Sequence, residues 1–209
     1  MKKLKNLPKW LAIVGQSGSG KGAALDILTE LCKEAKIKPL FISTGELIRQ
    51  SISLKTCMVK KMQEINNQGM RQPHLIASSL WFTKMLHELK KGQPIIHDGS
   101  PRSSEEFDLM QSLVKAGYFE TFKVLEVFAP DKLCKGRLIA RTISDKRADL
   151  SIDGRPGEPD MDKIDTKMRW WTVGRKEIIR RAMLADAYLV VNNTSTLVEL
   201  EKQIIGLFQ

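Results

Sequence analysis

Length, composition and charge limit what this chain can be. Its 209 residues are 42% hydrophobic and 28% charged, which is ordinary for one globular domain with a well-buried core. Three widely separated cysteines (Cys32, Cys57 and Cys134) form no Cys-x-x-Cys pair, so neither a zinc ribbon nor a disulfide framework is indicated. No apolar run approaches the ~18 residues that a membrane-spanning helix needs. We therefore expect a soluble, cytoplasmic protein.

The formal net charge of +10 comes from 34 Lys and Arg residues against 24 Asp and Glu. These cations are spread along the chain, which argues against nucleic acid or an acidic membrane surface as the main partner. We expect most of them to face solvent and a minority to bind an anionic small substrate. The basic start, Met1 to Lys5, lacks the long apolar stretch and the cleavage motif of a signal peptide. We expect a monomer with no nucleic-acid or membrane partner.

The first predicted strand leads into a glycine-rich loop. An apolar run from Trp10 to Val14 is followed by Gly-x-x-x-x-Gly-Lys and then by the helical spacing of Leu25, Leu28 and Leu31. In such a loop the backbone N–H groups surround an anion, the helix start adds its dipole, and the lysine contacts the outer phosphates. The pattern predicts a site for a nucleoside triphosphate. Its residues are Gly15, Gln16, Ser17, Gly18, Ser19, Gly20, Lys21, Gly22 and Ala23.

Short apolar runs alternate with helix-like segments along the rest of the chain. Strands alternating with helices favour an α/β domain whose parallel sheet is covered on both faces. Ser43 or Thr44 is expected to cap the helix that follows the second strand. The five predicted strands are 11–14, 39–42, 94–97, 123–128 and 188–191.

Two intervals break this alternation. Residues 45–73 contain only helix-like sequence, and residues 142–160 are polar and end in a Gly/Pro/Asp cluster that cannot form regular structure. We expect both to lie over the carboxyl edge of the sheet, where open α/β folds bind ligands, and we expect 142–160 to be a lid. The remaining segments, 1–44, 74–141 and 161–209, would form the core of a single domain.

Two further motifs carry a resemblance to a known family. The run Ser43-Thr-Gly-Glu-Leu-Ile-Arg49 resembles the STGDLLR motif of adenylate kinases, and Asp98-Gly-Ser-Pro-Arg102 resembles their DGFPR motif, with serine in place of the aromatic residue. A lysine followed by glycine in the phosphate-binding loop is also typical of these nucleoside-monophosphate kinases, although they usually have threonine where this chain has Ala23. The resemblance covers nearly the whole chain. It implies a P-loop three-layer sandwich with strand order 2-3-1-4-5.

The resemblance implies roles for residues around an acceptor nucleotide. Residues 45–73 would be the insertion that binds the nucleoside monophosphate, and Arg49 and Arg102 would hold its phosphate, a role that suits a planar guanidinium. Asp98, at the end of a strand beside the phosphate-binding loop, is the expected partner of Mg²⁺ through a water molecule, and Mg²⁺ is the cofactor we expect. The implied acceptor-binding residues are Thr44, Gly45, Arg49, Gly99, Arg102 and Glu106.

The lid and its flanks resemble the family less closely. Arg137 matches the residue that stacks on the ATP base, while Arg141, on the same helix face, and Arg155, in the Gly/Pro loop, match phosphate-binding arginines. Lys167 stands where the family has arginine, and it keeps the charge but not the two-pronged geometry. Arg169 lies two residues on, and the sequence leaves open which of the two serves. The implied catalytic residues are Lys21, Arg102, Arg141, Arg155, Lys167 and Arg169.

The implied reaction transfers the γ-phosphoryl group of Mg-ATP to AMP, giving two ADP. One position disturbs this assignment. Relatives that use AMP have glutamine four residues after the arginine of DGFPR, whereas this chain has Glu106. An ionised carboxylate only accepts hydrogen bonds, so it suits the N1–H and N2 donors of guanine better than adenine. A kinase for GMP or another nucleoside monophosphate is therefore the alternative, unless Glu106 points elsewhere and a neighbour reads the base.

Two readings from other classes stay open. Ala23, Glu106, Lys167 and lid acids displaced by one residue are departures from the family near the chemistry. They would also fit a nucleotide-binding module with weak or no turnover. A small-molecule kinase on a related fold, of the shikimate type, is a third reading, and the motif at residues 43–49 argues against it.

Overall fold

The five predicted strands form one sheet in the order β2-β3-β1-β4-β5. In the computed structural model, which describes residues 4–52, 54, 56–68, 70–144, 150–152 and 157–209, all four strand pairs are parallel. Trp10 of the central strand is in register with Ile95 on one side and with Phe122 on the other. The predicted α/β class and strand order are confirmed. The strands are β1 (Trp10–Val14), β2 (Leu40–Ser43), β3 (Ile95–Asp98), β4 (Phe122–Phe128) and β5 (Tyr188–Asn192).

Helices connect the strands and cover the sheet. The first helix after β2 is capped by Ser43 rather than Thr44, because the Ser43 hydroxyl accepts the backbone N–H of Glu46 at 3.4 Å. None of the helices in the described part of the chain is both long and apolar enough to cross a membrane. They are α1 (Lys21–Glu34), α2 (Thr44–Ser51), α3 (Cys57–Asn67), α4 (His74–Glu88), α5 (Ser104–Lys115), α6 (Asp131–Ile143), α7 (Met161–Leu184) and α8 (Leu197–Phe208).

The sheet separates two apolar layers, because alternate residues of a strand face opposite sides. Trp10, Ala12 and Val14 of β1 face a layer filled from α4, α5 and α7, while Leu11 and Ile13 face a layer filled from α1 and α8. The central strand β1 is buried along its whole length, as expected of a strand covered on both faces, whereas the edge strands β2 and β5 are partly exposed. The glycine-rich loop after β1 and the polar residues Ser43 and Asp98, which end β2 and β3, are therefore held at one edge of the sheet.

The two predicted insertions have small apolar clusters of their own. In the first, Ile48 of α2 packs with Val59 and Met62 of α3. At the second, Leu150 packs with Ile164 at the start of α7, within a cluster that also includes residues of α6. Residues 145–149 and 153–156 of the predicted lid lie outside the described residues. The predicted boundaries of core, insertion and lid stay predictions.

Candidate active site

The phosphate-binding loop connects β1 to α1 and needs its glycines for conformation and for space. Gly15, Gly18 and Gly20 all have positive φ, at 150°, 87° and 97°. A Cβ at Gly15 would lie 2.5 Å from the carbonyl oxygen of Val127, so the loop packs tightly against the end of β4. α1 begins at Lys21, directly after the loop. The start of the helix and the loop backbone thus face the same space, as an anion site requires.

Lys21 occupies this space with its ammonium group. Its Nζ donates hydrogen bonds to the carbonyl oxygens of Gly15 at 2.8 Å and Gln16 at 3.0 Å. Burial lowers the pKa of Lys21 to about 8; Asp98 acts in the opposite direction, and the nearby cations Arg102 and Arg141 lower the pKa further. A bound phosphate would provide further negative charge beside this buried ammonium and so would stabilise its protonated form.

The predicted acceptor side lies at the ends of β2 and β3. The guanidinium groups of Arg49 and Arg102 converge over Gly45, where a Cβ would lie 3.4 Å from Arg49 Nη1 and 3.9 Å from Arg102 Nη2. The Nε of Arg102 also donates a hydrogen bond to the carbonyl oxygen of Gly99. Gly45 and Gly99 thus leave room for two guanidinium groups side by side, and such a pair attracts a dianionic phosphate.

One cavity of about 890 Å³ joins the two sides. Its volume suits ligands of nucleotide size. The structure brings six of the predicted charged residues to its wall, with Asp98 the one acid among them. They are Lys21, Arg49, Asp98, Arg102, Arg141 and Lys167.

Asp98 fits the predicted magnesium site. Its Oδ1 is buried and has no hydrogen-bond partner among the described residues, while Oδ2 accepts from the Ser43 hydroxyl at 3.4 Å. No group of three or more His, Cys, Asp or Glu side chains in the described part of the chain could hold a metal ion by itself. Mg²⁺ usually keeps several waters and is held by one or two carboxylates plus substrate phosphates, which is the arrangement that a single Asp98 could support.

The cations predicted for the lid and its flanks have different surroundings. Arg137 lies on the phosphate-binding loop, and its guanidinium donates to the carbonyl oxygens of Gly18, Ser19 and Asn193 at 3.3–3.4 Å. It also borders an apolar recess along α6. Arg141 and Lys167 line the main cavity. Arg169 is exposed and is not on that wall, and Arg155 lies outside the described residues.

Some predicted residues have other surroundings. Thr44 is fully buried, and its hydroxyl is hydrogen bonded to His97 Nε2 at 2.9 Å and to the Ser100 hydroxyl at 3.0 Å. Burial lowers the pKa of His97 to about 3, so this ring is neutral. Ala23 packs on the α1 side of the core, whereas Gly22 lies at the cavity with open space where a side chain would be.

Glu106 is buried beneath the acceptor side. It is 2% exposed, and its Oε2 accepts the backbone N–H of Arg102 at 2.8 Å. Its own backbone N–H is hydrogen bonded to the hydroxyl of Ser103, the N-cap of α5. The carboxylate is not among the groups found on the cavity wall in the described part of the chain.

Sequence reasoning missed three residues that border the site. Arg71 lines the cavity and donates through Nη1 to the carbonyl oxygen of Arg102 at 2.7 Å. Gln72 also lines it, with Nε2 bound to Met62 and Asn66 and with a buried Oε1 that has no partner among the described residues. Asn193, after β5, donates to Ser19 O at 2.8 Å. Arg71 and Gln72 belong to no recognisable motif, and the one available signal was the pair Asn192-Asn193 directly after the fifth predicted strand, which is typical of a turn.

A family model described as an AAA domain matches residues 14–154. The chain belongs to this family. The matched segment begins at the end of β1 and includes the phosphate-binding loop, the acceptor-side arginines and α6. The match therefore includes most of the residues that line the cavity, while the lining residues of α7 lie beyond it.

Curated relatives of this AAA-domain chain are named adenylate kinase. One from Leptospira biflexa is 27% identical over 141 residues, which cover 68% of this chain and 73% of the relative. Another from Porphyromonas gingivalis is 29% identical over 144 residues, which cover 68% of this chain and 70% of the relative. A third, from Mesomycoplasma hyopneumoniae, is 32% identical over 102 residues, which cover 49% of this chain and 45% of the relative. The predicted resemblance to adenylate kinases is confirmed.

Proposed function

We propose that this chain is a nucleoside-monophosphate kinase that transfers the γ-phosphoryl group of Mg-ATP to AMP. The observation that carries the proposal is the shared cavity, in which Lys21 and the phosphate-binding loop face the Arg49–Arg102 pair. Two anion sites on one wall fit a donor and an acceptor better than a single nucleotide. The curated relatives described above are named adenylate kinase; they support a P-loop nucleotide kinase and favour AMP as the acceptor.

The proposed chemistry needs positioning and charge neutralisation. Lys21 and Arg141 would surround the transferred phosphoryl group, and Arg49 and Arg102 would hold the acceptor phosphate in line with it. Lys167, on the cavity wall, is better placed than Arg169 to add a third cation. The acceptor phosphate is already anionic, so no general base is required.

Two further groups complete the proposed site. Asp98 would hold Mg²⁺ through water, and the bound ion would neutralise charge on the ATP phosphates. Residues 142–160 would close over the cavity and exclude water, which otherwise competes with the acceptor for the phosphoryl group. Arg155 would reach the phosphates from this segment.

An acceptor screen tests the proposal. ADP formation is measured with AMP, GMP, CMP and UMP at a fixed concentration of Mg-ATP, with Lys21→Met as the inactive control. We expect AMP to have the highest kcat/KM and Lys21→Met to lose at least about 100-fold with every acceptor. A kcat/KM for GMP tenfold above that for AMP would replace AMP by GMP, and no transfer to any acceptor would refute a kinase.

A nucleotide-binding module without turnover is the second candidate. Gly22 and Ala23 carry no hydroxyl for Mg²⁺ after the loop lysine, and Lys167 replaces an arginine. Titration calorimetry with Mg-ATP, run beside the coupled assay, separates the two candidates. Binding of Mg-ATP and AMP without ADP formation would favour the module.

A further inference from the structure

The backbone N–H and the backbone carbonyl of Arg102, which belong to successive peptide groups, are each held by a charged side chain. Glu106 Oε2 accepts its N–H at 2.8 Å, and Arg71 Nη1 donates to its carbonyl oxygen at 2.7 Å. Hydrogen bonds in which one partner is ionised are stronger than neutral ones. The backbone that carries one acceptor-side guanidinium therefore has a fixed place.

The two hydrogen bonds to the backbone of Arg102 are partly buried. Glu106 is 2% exposed, and burial lowers the pKa of Arg71 to about 10. Helix α7 closes over the contact at Gly174, where a Cβ would lie 3.1 Å from Arg102 O and 3.8 Å from Arg71 Nη1. On the other side, His74 Nδ1 lies 3.9 Å from Glu106 Oε1. Glu106 is thus shielded from water, and the partly buried Arg71 contact is covered by α7, so each hydrogen bond contributes to the position of Arg102.

We propose that Arg71 and Glu106 are positioning residues that hold the backbone of Arg102, and that Glu106 does not read the acceptor base. The inference rests on the proposed function. Glu106 has the chemistry to accept hydrogen bonds from guanine, but its Oε2 is already used by a backbone N–H. Discrimination between AMP and GMP then depends on other groups of the cavity wall.

The contact joins three parts of the molecule. Arg71 lies between α3 and α4, at the end of the predicted acceptor-binding insertion, while Glu106 lies in the first turn of α5 and Gly174 in α7. Movement of the insertion would displace Arg71 and thereby release the Arg102 carbonyl. The guanidinium of Arg102 is thus in place for the acceptor phosphate only while Arg71 is seated.

Glutamate variants separate positioning from base reading. Glu106→Ala removes the acceptor of the Arg102 N–H, and we expect kcat/KM to fall at least about tenfold for AMP and GMP alike. Glu106→Gln keeps an acceptor oxygen, so it should recover most of that loss and leave the AMP:GMP ratio within about threefold of the parent. Glu105→Gln, on the exposed side of the same turn, is the matched control and should match the parent.

Variants of Arg71 test the contact with the backbone carbonyl of Arg102. We expect Arg71→Met to raise the KM for the acceptor at least about fivefold with little change in the KM for ATP, and Arg71→Lys to restore part of the affinity because an ammonium can still donate. Lys61→Met, an exposed cation of the same insertion, is the control. A loss of folded protein would lower kcat without this split between the two KM values.

The outcomes are decisive in both directions. A change of tenfold or more in the AMP:GMP ratio for Glu106→Gln overturns the inference and makes Glu106 the base reader. Equal KM values for the parent and Arg71→Met also overturn it. Failure of the parent protein to transfer phosphate to any acceptor refutes the proposed function instead. The two failures are distinguishable, because the variants test the inference only by comparison with an active parent.

Discussion

At the residue scale, Lys21 illustrates how the fold alters a side chain of known chemistry. Its ammonium donates to two loop carbonyl oxygens, and burial brings its pKa down to about 8. Carbonyl oxygens solvate the charge only partly, whereas a triphosphate would stabilise it fully. The protonation of this lysine and the binding of nucleotide are therefore linked.

This linkage predicts proton uptake on nucleotide binding. At pH 9 most free protein has neutral Lys21, so binding of Mg-ATP should take up close to one proton, and affinity should fall by up to about tenfold per pH unit above pH 8. Calorimetric titrations at pH 9 in buffers of different ionisation enthalpy measure the uptake. Lys21→Met should show none, and equal parent affinities at pH 7.5 and pH 9.5 would contradict the prediction.

Glu106 shows the limit of residue-level reasoning. The sequence specifies a carboxylate four residues after Arg102, and a carboxylate accepts hydrogen bonds wherever it lies. Which donor it accepts from depends on the path of the backbone between them. In the fold that donor is the N–H of Arg102 itself.

At the element scale, α7 is anchored to the sheet by a buried charge. Glu126, in β4 and 1% exposed, accepts from Arg175 Nε at 2.5 Å, from Arg175 Nη2 at 3.2 Å and from the Tyr188 hydroxyl at 2.6 Å. The Arg175 guanidinium also lies 5.3 Å from the centre of the Phe128 ring. The helix that carries Lys167 toward the cavity therefore has a fixed position along the sheet.

Removing this arginine should destabilise the fold. Arg175→Met leaves the Glu126 charge buried, with the Tyr188 hydroxyl as its remaining side-chain partner among the described residues. We expect a loss of about 2–4 kcal/mol in the free energy of unfolding. Urea denaturation measures it. Arg180→Met, which breaks an exposed pair with Glu177, should have a much smaller effect. If the two variants had the same free energy of unfolding, the Arg175–Glu126 pair would contribute no more to stability than an exposed pair does.

Element boundaries were largely predictable, because strands and helices differ in the period of their apolar residues. The predicted strand 123–128 corresponds to β4 (Phe122–Phe128), and the leucines spaced three apart lie in α1. The division of the first insertion into α2 and α3 was not predicted. Its apolar residues form a small cluster with α4, and that packing is a tertiary feature.

At the scale of the whole molecule, one cavity wall is assembled from the predicted first insertion, the phosphate-binding loop and the helices α6 and α7. Trp170 lines this wall on α7 and is 39% exposed, whereas Trp10, Trp81 and Trp171 are 0%, 0% and 7% exposed. Closure over two nucleotides would bury the exposed ring. Trp10 and Trp81 lie away from this wall and would keep their surroundings, while Trp171 borders the cavity but is already buried.

Trp170 should therefore report closure. A bisubstrate dinucleotide with Mg²⁺ should shift the tryptophan emission to shorter wavelength, because the Trp170 ring leaves water. Trp170→Phe should lose most of that shift while still binding, as measured by calorimetry. An unchanged shift in Trp170→Phe would show that the signal comes from a buried tryptophan and that closure does not involve α7 at this point.

By itself the sequence determined the α/β class and the phosphate-binding loop motif, because the period of apolar residues and the spacing of glycines are local features of the chain. The acceptor role that it predicts for Arg49 and Arg102 stays a prediction. Only the tertiary structure decided that Lys167 rather than Arg169 reaches the cavity, that Thr44 turns inward to His97, and that Arg71 joins the site. Those outcomes depend on how helices and loops distant in sequence pack against each other, and packing between distant segments leaves no period or motif in the chain.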